Sequence, residues 1–245
     1  MPYTLSPTTL ALYEECPTCF WLHMNKGIKR PAGIFPSLPS GMDSIFKKYF
    51  DFYMEQGTLP PFLANVLPGC KLFDNKLLLK EWRNTLKGIQ WKDAEGNVLK
   101  GAVDNLLIKD EKLIVLDYKT RGYALKEDTA THYQQQLNLY NFLLRKNGYA
   151  TEEYALLLFY YPKEVNTQHH LLPTAPSQEG QPRQLATLEQ SPETETIIFE
   201  TRLITLEVNI THAEQLVSQA LALLAGKQPG PNPECEYCRY RTAGN

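Results

Sequence analysis

The chain has 245 residues, enough to bury a sizeable core, and its 43% hydrophobic and 11% aromatic content describes an ordinary folded protein, most simply one domain. A net charge of −2 provides no overall basic field, so a nucleic-acid partner would have to be held by a local patch. No apolar run approaches the roughly 20 residues of a membrane span, and the start lacks the basic segment, apolar run and cleavage site of a secretory leader, so a cytoplasmic location is expected.

The opening "SPTTLALYEECPTCFWLHMNKG" reads as a helix capped by Ser6, with Pro7 at its first position, Leu10, Leu12 and Tyr13 beginning an apolar face, and Pro17 ending or kinking it. "IKRPAGIFPSLPSG" is a proline-punctuated crossing. In "MDSIFKKYFDFYMEQG", Ile45, Phe46, Tyr49, Phe50 and Tyr53 form the stripe of a second helix, stopped by Gly57. From Lys71 to Thr120 the pattern is that of strands, with "AEGN" and "KDEK" as turns. A third helix in "ATHYQQQLNLYNFLLRKNG" ends at Asn147-Gly148. "TEEYALLLFYYP" has the composition of a strand buried on both faces. The polar, proline-bearing segment 172–195 is expected to be a loop or hairpin. "TIIFETRLITLEVN" gives a further strand or two, "AEQLVSQALALLAGK" a last helix, and "QPGPNPECEYCRYR" an irregular tail. This order predicts an α/β fold, a mixed central sheet flanked by helices.

If "LLI" and "LIV" pair around "KDEK", Ile108 faces Leu113, and counting outward sets Asp104 across from Asp117. Like charges facing each other across a ladder destabilise it, and carboxylates among apolar neighbours cost several kcal/mol unless compensated. A divalent cation compensates both. Lys119, two residues on, shares the face of Asp117 while the Tyr118 side chain points away. Two carboxylates, a carbonyl such as that of Tyr118 and one ammonium suit phosphodiester hydrolysis with Mg²⁺ or Mn²⁺, in which Lys119 orients or deprotonates a water or stabilises transition-state charge. One turn apart on the next helix, Gln136 and Tyr140 share a face, with Tyr133 close by.

Four of the five cysteines form two CxxC pairs, Cys16/Cys19 and Cys235/Cys238, while Cys70 stands apart as a small buried or loop residue. Four thiolates suffice for a tetrahedral Zn²⁺ or a cubane cluster. Lys26, Lys29, Arg30, Arg121, Lys126, Arg145 and Lys146 are candidates for the phosphate-binding patch, and Trp21 and Tyr123 for stacking platforms on single strands.

"GAVDNLL", "VLDYKT" and "QQQLNLY" together resemble the successive G-x-x-D, D-x-K and Q-x-x-x-Y motifs of the PD-(D/E)XK nuclease superfamily in its RecB-like branch. The resemblance implies a restriction-endonuclease-like fold with its core over residues 71–165. It also implies Asp104 and Asp117 as metal ligands, Lys119 as catalytic, Gln136 and Tyr140 as site residues, and DNA, with single-stranded ends, as the partner. The chain is also similar to the iron–sulfur CRISPR-associated exonucleases and AddB-type nuclease domains, which implies a 4Fe–4S cluster joining residues 1–30 to 228–245. It departs from them by lacking the final cysteine, so that Cys19 must fill in. Where related nucleases carry a histidine four residues after a glycine, Gly41 leads to Ile45; Asp43 or Asp51 on that helix could reach the metal or a water could fill the position, while the simpler reading makes both aspartates exposed helix carboxylates. The resulting expectation is a metal-dependent DNA exonuclease in repair, recombination or CRISPR-type processing, possessing protein partners in such a complex. The alternatives are a weakly active or inactive nuclease-fold module that binds nucleic acid or assembles with a protein partner, and a colourless zinc-stapled binding protein.

Overall fold

The computed structural model describes residues 2–33, 35–163 and 197–243. Segment 172–195 therefore lies outside the described residues. Strand β1 (Thr4–Leu5) leads into helix α1 (Pro7–Glu15), whose capping box is closed by Ser6 and Thr9 in place of the usual acidic partner: the Thr9 amide donates to Ser6 Oγ at 3.2 Å and the Ser6 amide to Thr9 Oγ1 at 2.8 Å. Pro17 does not merely end this helix. It sits at the first position of a new one, α2 (Pro17–Lys26), because a proline there forfeits no helical hydrogen bond and Cys16 serves as the cap.

Helix α3 (Ser37–Glu55) begins five residues before the expected stretch and carries Phe46, Phe50 and Met54 into the core. Two short helices, α4 (Pro61–Val66) and α5 (Lys76–Trp82), follow on either side of β2 (Lys71–Leu72). The second interrupts the region read as all strand: "LLLKEW" is too short for its period to separate helix from strand, and the Asn75 side chain, accepting from the Leu78 amide, decides it.

Strands β3 (Ile89–Lys92) and β4 (Val98–Gly101) join β1 in a three-stranded sheet of order β1-β4-β3. The main sheet runs β2-β5-β6-β7-β8, with β5 (Asn105–Lys109), β6 (Lys112–Thr120), β7 (Tyr154–Pro162) and β8 (Phe199–Glu207). It is mixed: β6 and β7 are parallel and the other pairs antiparallel. A parallel pair needs a crossover, and α6 (Gln134–Lys146), entered through a 3-10 turn at Thr131–Tyr133, supplies it. Gly148, at φ +84°, turns the chain out of α6. Helix α7 (Ile210–Ala225) packs on α6, and the tail read as irregular forms α8 (Glu236–Ala243).

The β5–β6 turn holds Asp110 at φ 46° and Glu111 at φ 64°, the left-handed pair that a two-residue hairpin requires. That turn fixes the register: Lys109 faces Lys112, Ile108 faces Leu113, and Asn105 faces Leu116. Alternation along β6 then sends Tyr118 to one side, stacked 4.6 Å from Phe50 of α3, and Asp117 and Lys119 to the other, toward α6. Strands β6 and β7 are buried over most of their length, as their apolar runs predict, so the aspartate at 117 is embedded in the core of the sheet.

Candidate active site

Asp104 stands one residue before β5, and continuing the ladder outward from Asn105 and Leu116 brings it opposite Asp117. The Tyr118 amide donates to Asp104 Oδ2 at 3.3 Å, which ties the two carboxylates to one spot. The Asp117 side chain is 1% exposed. Its Oδ1 accepts from Gln136 Nε2 at 3.4 Å, and the same amide donates to the Tyr140 hydroxyl at 2.7 Å. Its Oδ2 lies in ion-pair contact with Lys119 Nζ yet receives no aligned hydrogen bond, leaving a buried carboxylate oxygen with unmet accepting capacity. Lys119 itself rests 4.9 Å above the Tyr133 ring.

Burial pushes the Asp117 carboxyl up to about 7; the Lys119 ammonium opposes this and the Asp104 carboxylate adds to it. Burial, together with the charge of Asp117, raises the Tyr140 phenol above its ordinary value, so it stays a protonated donor. Two facing carboxylates, one of them fully buried, form a hard, oxygen-rich set that fits Mg²⁺ or Mn²⁺.

Helix α3 and the end of α5 bring two cations that the sequence reading did not assign. Lys47 Nζ lies 3.2 Å from Asp104 Oδ1 and 2.8 Å from Asp43 Oδ2. Arg83 donates from Nε to the Asp104 carbonyl at 2.6 Å and pairs with Asp51 at 2.7 Å. Asp43 and Asp51 are therefore linked to Asp104 through a cation each, and Ile45, at the position of the family histidine, is 58% exposed. The signal was present: Asp43, Lys47 and Asp51 recur every four residues, a polar stripe beside the apolar one of Phe46, Phe50 and Met54.

Asp104, Gln136 and Tyr140 line an open cleft of about 560 Å³, bounded also by the start of α1 and by the cations Lys47, Arg83 and Lys100. None of the seven basic residues expected from sequence to form the patch lines this cleft. Arg145 is engaged by Thr151 and Glu153, Lys146 by Glu214, and Arg30 lies at the cysteines. Trp21 donates to the Gly226 carbonyl at 3.2 Å, joining α2 to the end of α7, whereas Tyr123 is 61% exposed with the Arg121 guanidinium 5.1 Å from its ring centroid.

The four paired cysteines meet in a buried cluster. Each CxxC spans a helix start: Cys16 caps α2, with Cys19 in its first turn, and Cys235 immediately precedes α8, its carbonyl accepting from the Arg239 amide at 3.0 Å, with Cys238 in that helix's first turn. The cap-to-third-residue spacing that lets a serine reach an amide lets Cys16 Sγ accept from the Cys19 amide at 3.4 Å. Burial pushes the Cys16 thiol up to about 12. At Cys235 burial acts the same way, but the Cys238 and Tyr237 amides and the neighbouring sulfurs outweigh it and bring that thiol down to about 6. Cys70, as expected, is a buried residue outside the cluster.

The model of the PD-(D/E)XK nuclease superfamily matches residues 70–243, and the chain belongs to that superfamily. The match takes in Asp104, Asp117, Lys119, Gln136 and Tyr140. No curated protein matches the chain significantly. Among the described residues no helix is long and apolar enough to cross a membrane. Membership gives the chain a nuclease-type function, with nucleic acid as substrate.

Proposed function

We propose that this chain is a Mg²⁺- or Mn²⁺-dependent deoxyribonuclease that degrades DNA from single-stranded ends, serving repair, recombination or CRISPR-type processing. The observation that carries the hydrolytic reading is the facing pair Asp104 and Asp117 with Lys119 against the buried Oδ2 of Asp117. Asp104, Asp117 and the carbonyl of Tyr118 would hold the cation. Bound there, it would polarise the scissile phosphate and acidify a water.

The remaining roles belong to the protein. Lys119, fixed between Asp117 and the Tyr133 ring, presents its ammonium to charge developing on the phosphate. Gln136 commits its amide nitrogen to Asp117 and Tyr140, which turns its carbonyl oxygen into the acceptor for a water proton. Tyr140 is left to donate its hydroxyl proton toward a phosphate oxygen. Lys100 at the cleft supplies backbone-binding charge that net composition does not. The end preference and the pathway rest on the resemblance to RecB-like exonucleases.

A second reading is favoured by Lys47, whose ammonium already sits at Asp104 Oδ1 as a cation would. In that reading the chain is a weakly active or inactive nuclease-fold module that binds nucleic acid or assembles with a protein partner. End-labelled single- and double-stranded DNA, incubated with Mg²⁺ or Mn²⁺ and wild type, Asp117→Asn or Lys119→Ala, separates the two. Cleavage by wild type with a loss of 100-fold or more (~3 kcal/mol) in both variants supports the enzyme. Binding without cleavage under either metal supports the module.

A further inference from the structure

We propose that Cys16, Cys19, Cys235 and Cys238 bind a single tetrahedral Zn²⁺ as a structural staple, and not the 4Fe–4S cluster that the family resemblance implies. The sulfur spacing decides between them. Cys16 and Cys238 are 3.6 Å apart, Cys19 and Cys235 3.7 Å, Cys19 and Cys238 3.9 Å, and all four sulfurs lie within 4.8 Å of one another. Four thiolates on one ion with Zn–S bonds of about 2.3 Å stand about 3.8 Å apart at the corners of a tetrahedron. A cubane bonds each thiolate to a different iron at the corner of a body that is itself several ångströms across, so its four sulfurs stand further apart. The cage here has room for one ion and none for such a body. A disulfide is excluded as well, since an S–S bond is about 2.0 Å.

The surroundings match a thiolate set carrying negative charge. Zinc with four thiolates bears a charge of −2. Two guanidiniums face the sulfurs: Arg30 at 3.4 Å from Cys235 and Arg241 at 3.7 Å from Cys19. Arg30 is further steadied by Glu15 at 2.6 Å and by the Tyr237 ring at 4.4 Å. Both CxxC pairs lie at helix starts, where the positive end of the peptide dipoles favours anions.

The fold also needs the ion. Helix α8 has eight residues, too few to persist alone, and among its described side chains Cys238 is the buried one, with Cys235 just before it. The described side chains of α8 form no apolar face for the core, so thiolate–metal bonds replace the hydrophobic attachment that the other helices have. The staple joins α2 to α8, fastening the C-terminal helix to the N-terminal pair.

The test is the metal content of the full-length protein, expressed with iron in excess and purified without oxygen. About one zinc per chain, with iron and acid-labile sulfide near background and no brown colour, is expected. About four irons and four sulfides per chain would overturn the proposal, as would the absence of any metal. Exchange with Co²⁺ in the intact protein should produce the intense visible ligand-field bands of a tetrahedral tetrathiolate site; weak bands of an octahedral ion would count against it. Cys238→Ser should lose the ion and expose the tail to protease, while Cys70→Ser keeps both the ion and the protection. Should Cys238→Ser fail to fold, the wild-type zinc, iron and cobalt readings still decide.

Discussion

The Lys47 ammonium lies 3.2 Å from Asp104 Oδ1, on the carboxylate that a catalytic cation would share with Asp117. Burial alone would lower the pKa of this lysine, but Asp104 and Asp43 raise it above its ordinary value, so Lys47 is charged and occupies Asp104 electrostatically. A divalent ion must displace it or share the oxygen. Lys47→Met, which keeps the stem and removes the charge, is therefore expected to tighten Mn²⁺ binding by about tenfold, a change of ~1.4 kcal/mol. Titration calorimetry with Mn²⁺ checks this. Weaker binding in the variant would show instead that Lys47 positions Asp104 for the metal.

Asp117 predicts a pH dependence whose sign is fixed by burial. Its folded-state pKa, pushed up to about 7, lies above the ordinary carboxylate value, so folding favours the protonated form. In metal-free protein the stabilising effect is full at low pH and is lost as pH rises from the ordinary carboxylate range through about 7. Asp117→Asn, which removes the buried charge, should raise metal-free stability at pH 8 by on the order of 1–3 kcal/mol and make little difference near pH 4. Mn²⁺ needs the ionised form, so its affinity should fall below pH 7 and binding there should release a proton. Denaturant melts of both proteins across this range, with and without Mn²⁺, measure each part. A stability gain in the variant that does not change with pH would contradict the assigned ionisation.

How much of this was readable from sequence depends on the range of the forces involved. The facing of Asp104 and Asp117 was legible because a two-residue loop fixes register locally, and "KDEK" between apolar runs admits few alternatives. Gln136 and Tyr140 were legible because helical periodicity places them together. Lys47 and Arg83 were not assigned, because their partner Asp104 is far along the chain and nothing local marks a lysine that packs beneath a helix from one that faces solvent. Helix α8 was read as irregular because its residues lack apolar periodicity; the cysteine cluster, a contact between the two ends of the chain, organises it. Cys16 as a helix cap was missed for a related reason, since cysteine is not among the usual capping residues.

The glycine of "KGAVD" has a physical role at the site. A Cβ on Gly101 would lie 2.9 Å from the Tyr140 ring and 3.0 Å from Leu143, closer than packed carbons approach. Gly101 thus permits α6 to lie against β4 and sets the height of Tyr140 over the carboxylates. Gly101→Ala should destabilise the fold by about 1–3 kcal/mol, the usual range for overpacking, and lower nuclease activity by displacing the Tyr140–Gln136 hydrogen bond. A paired Gly101→Ala/Tyr140→Phe variant tests the coupling: with the hydroxyl already absent, the alanine should reduce activity much less than it does in wild type. An equal loss in both backgrounds would mean that Gly101 acts elsewhere than through Tyr140.

The β5–β6 turn carries strain that can be relieved without touching the cleft. Asp110 tolerates the left-handed region because its short side chain can bond locally, but Glu111, at φ 64°, has no such compensation. Glycine adopts this conformation without the steric penalty, and it is the residue favoured at the second position of such a turn. Glu111→Gly should therefore stabilise the protein by about 1 kcal/mol, the left-handed penalty being partly offset by the greater freedom of glycine in the unfolded chain. Because the register of β5 against β6 depends on this turn, and the register places Asp104 opposite Asp117, metal affinity should be unchanged or slightly higher. Glu111→Pro, whose ring forbids a positive φ, should do the reverse: it would open the hairpin, separate the two carboxylates and lose Mn²⁺ binding together with stability. Urea melts and Mn²⁺ titrations of the two variants give four numbers, and retention of Mn²⁺ binding in the proline variant would disprove the dependence of the carboxylate pair on this turn.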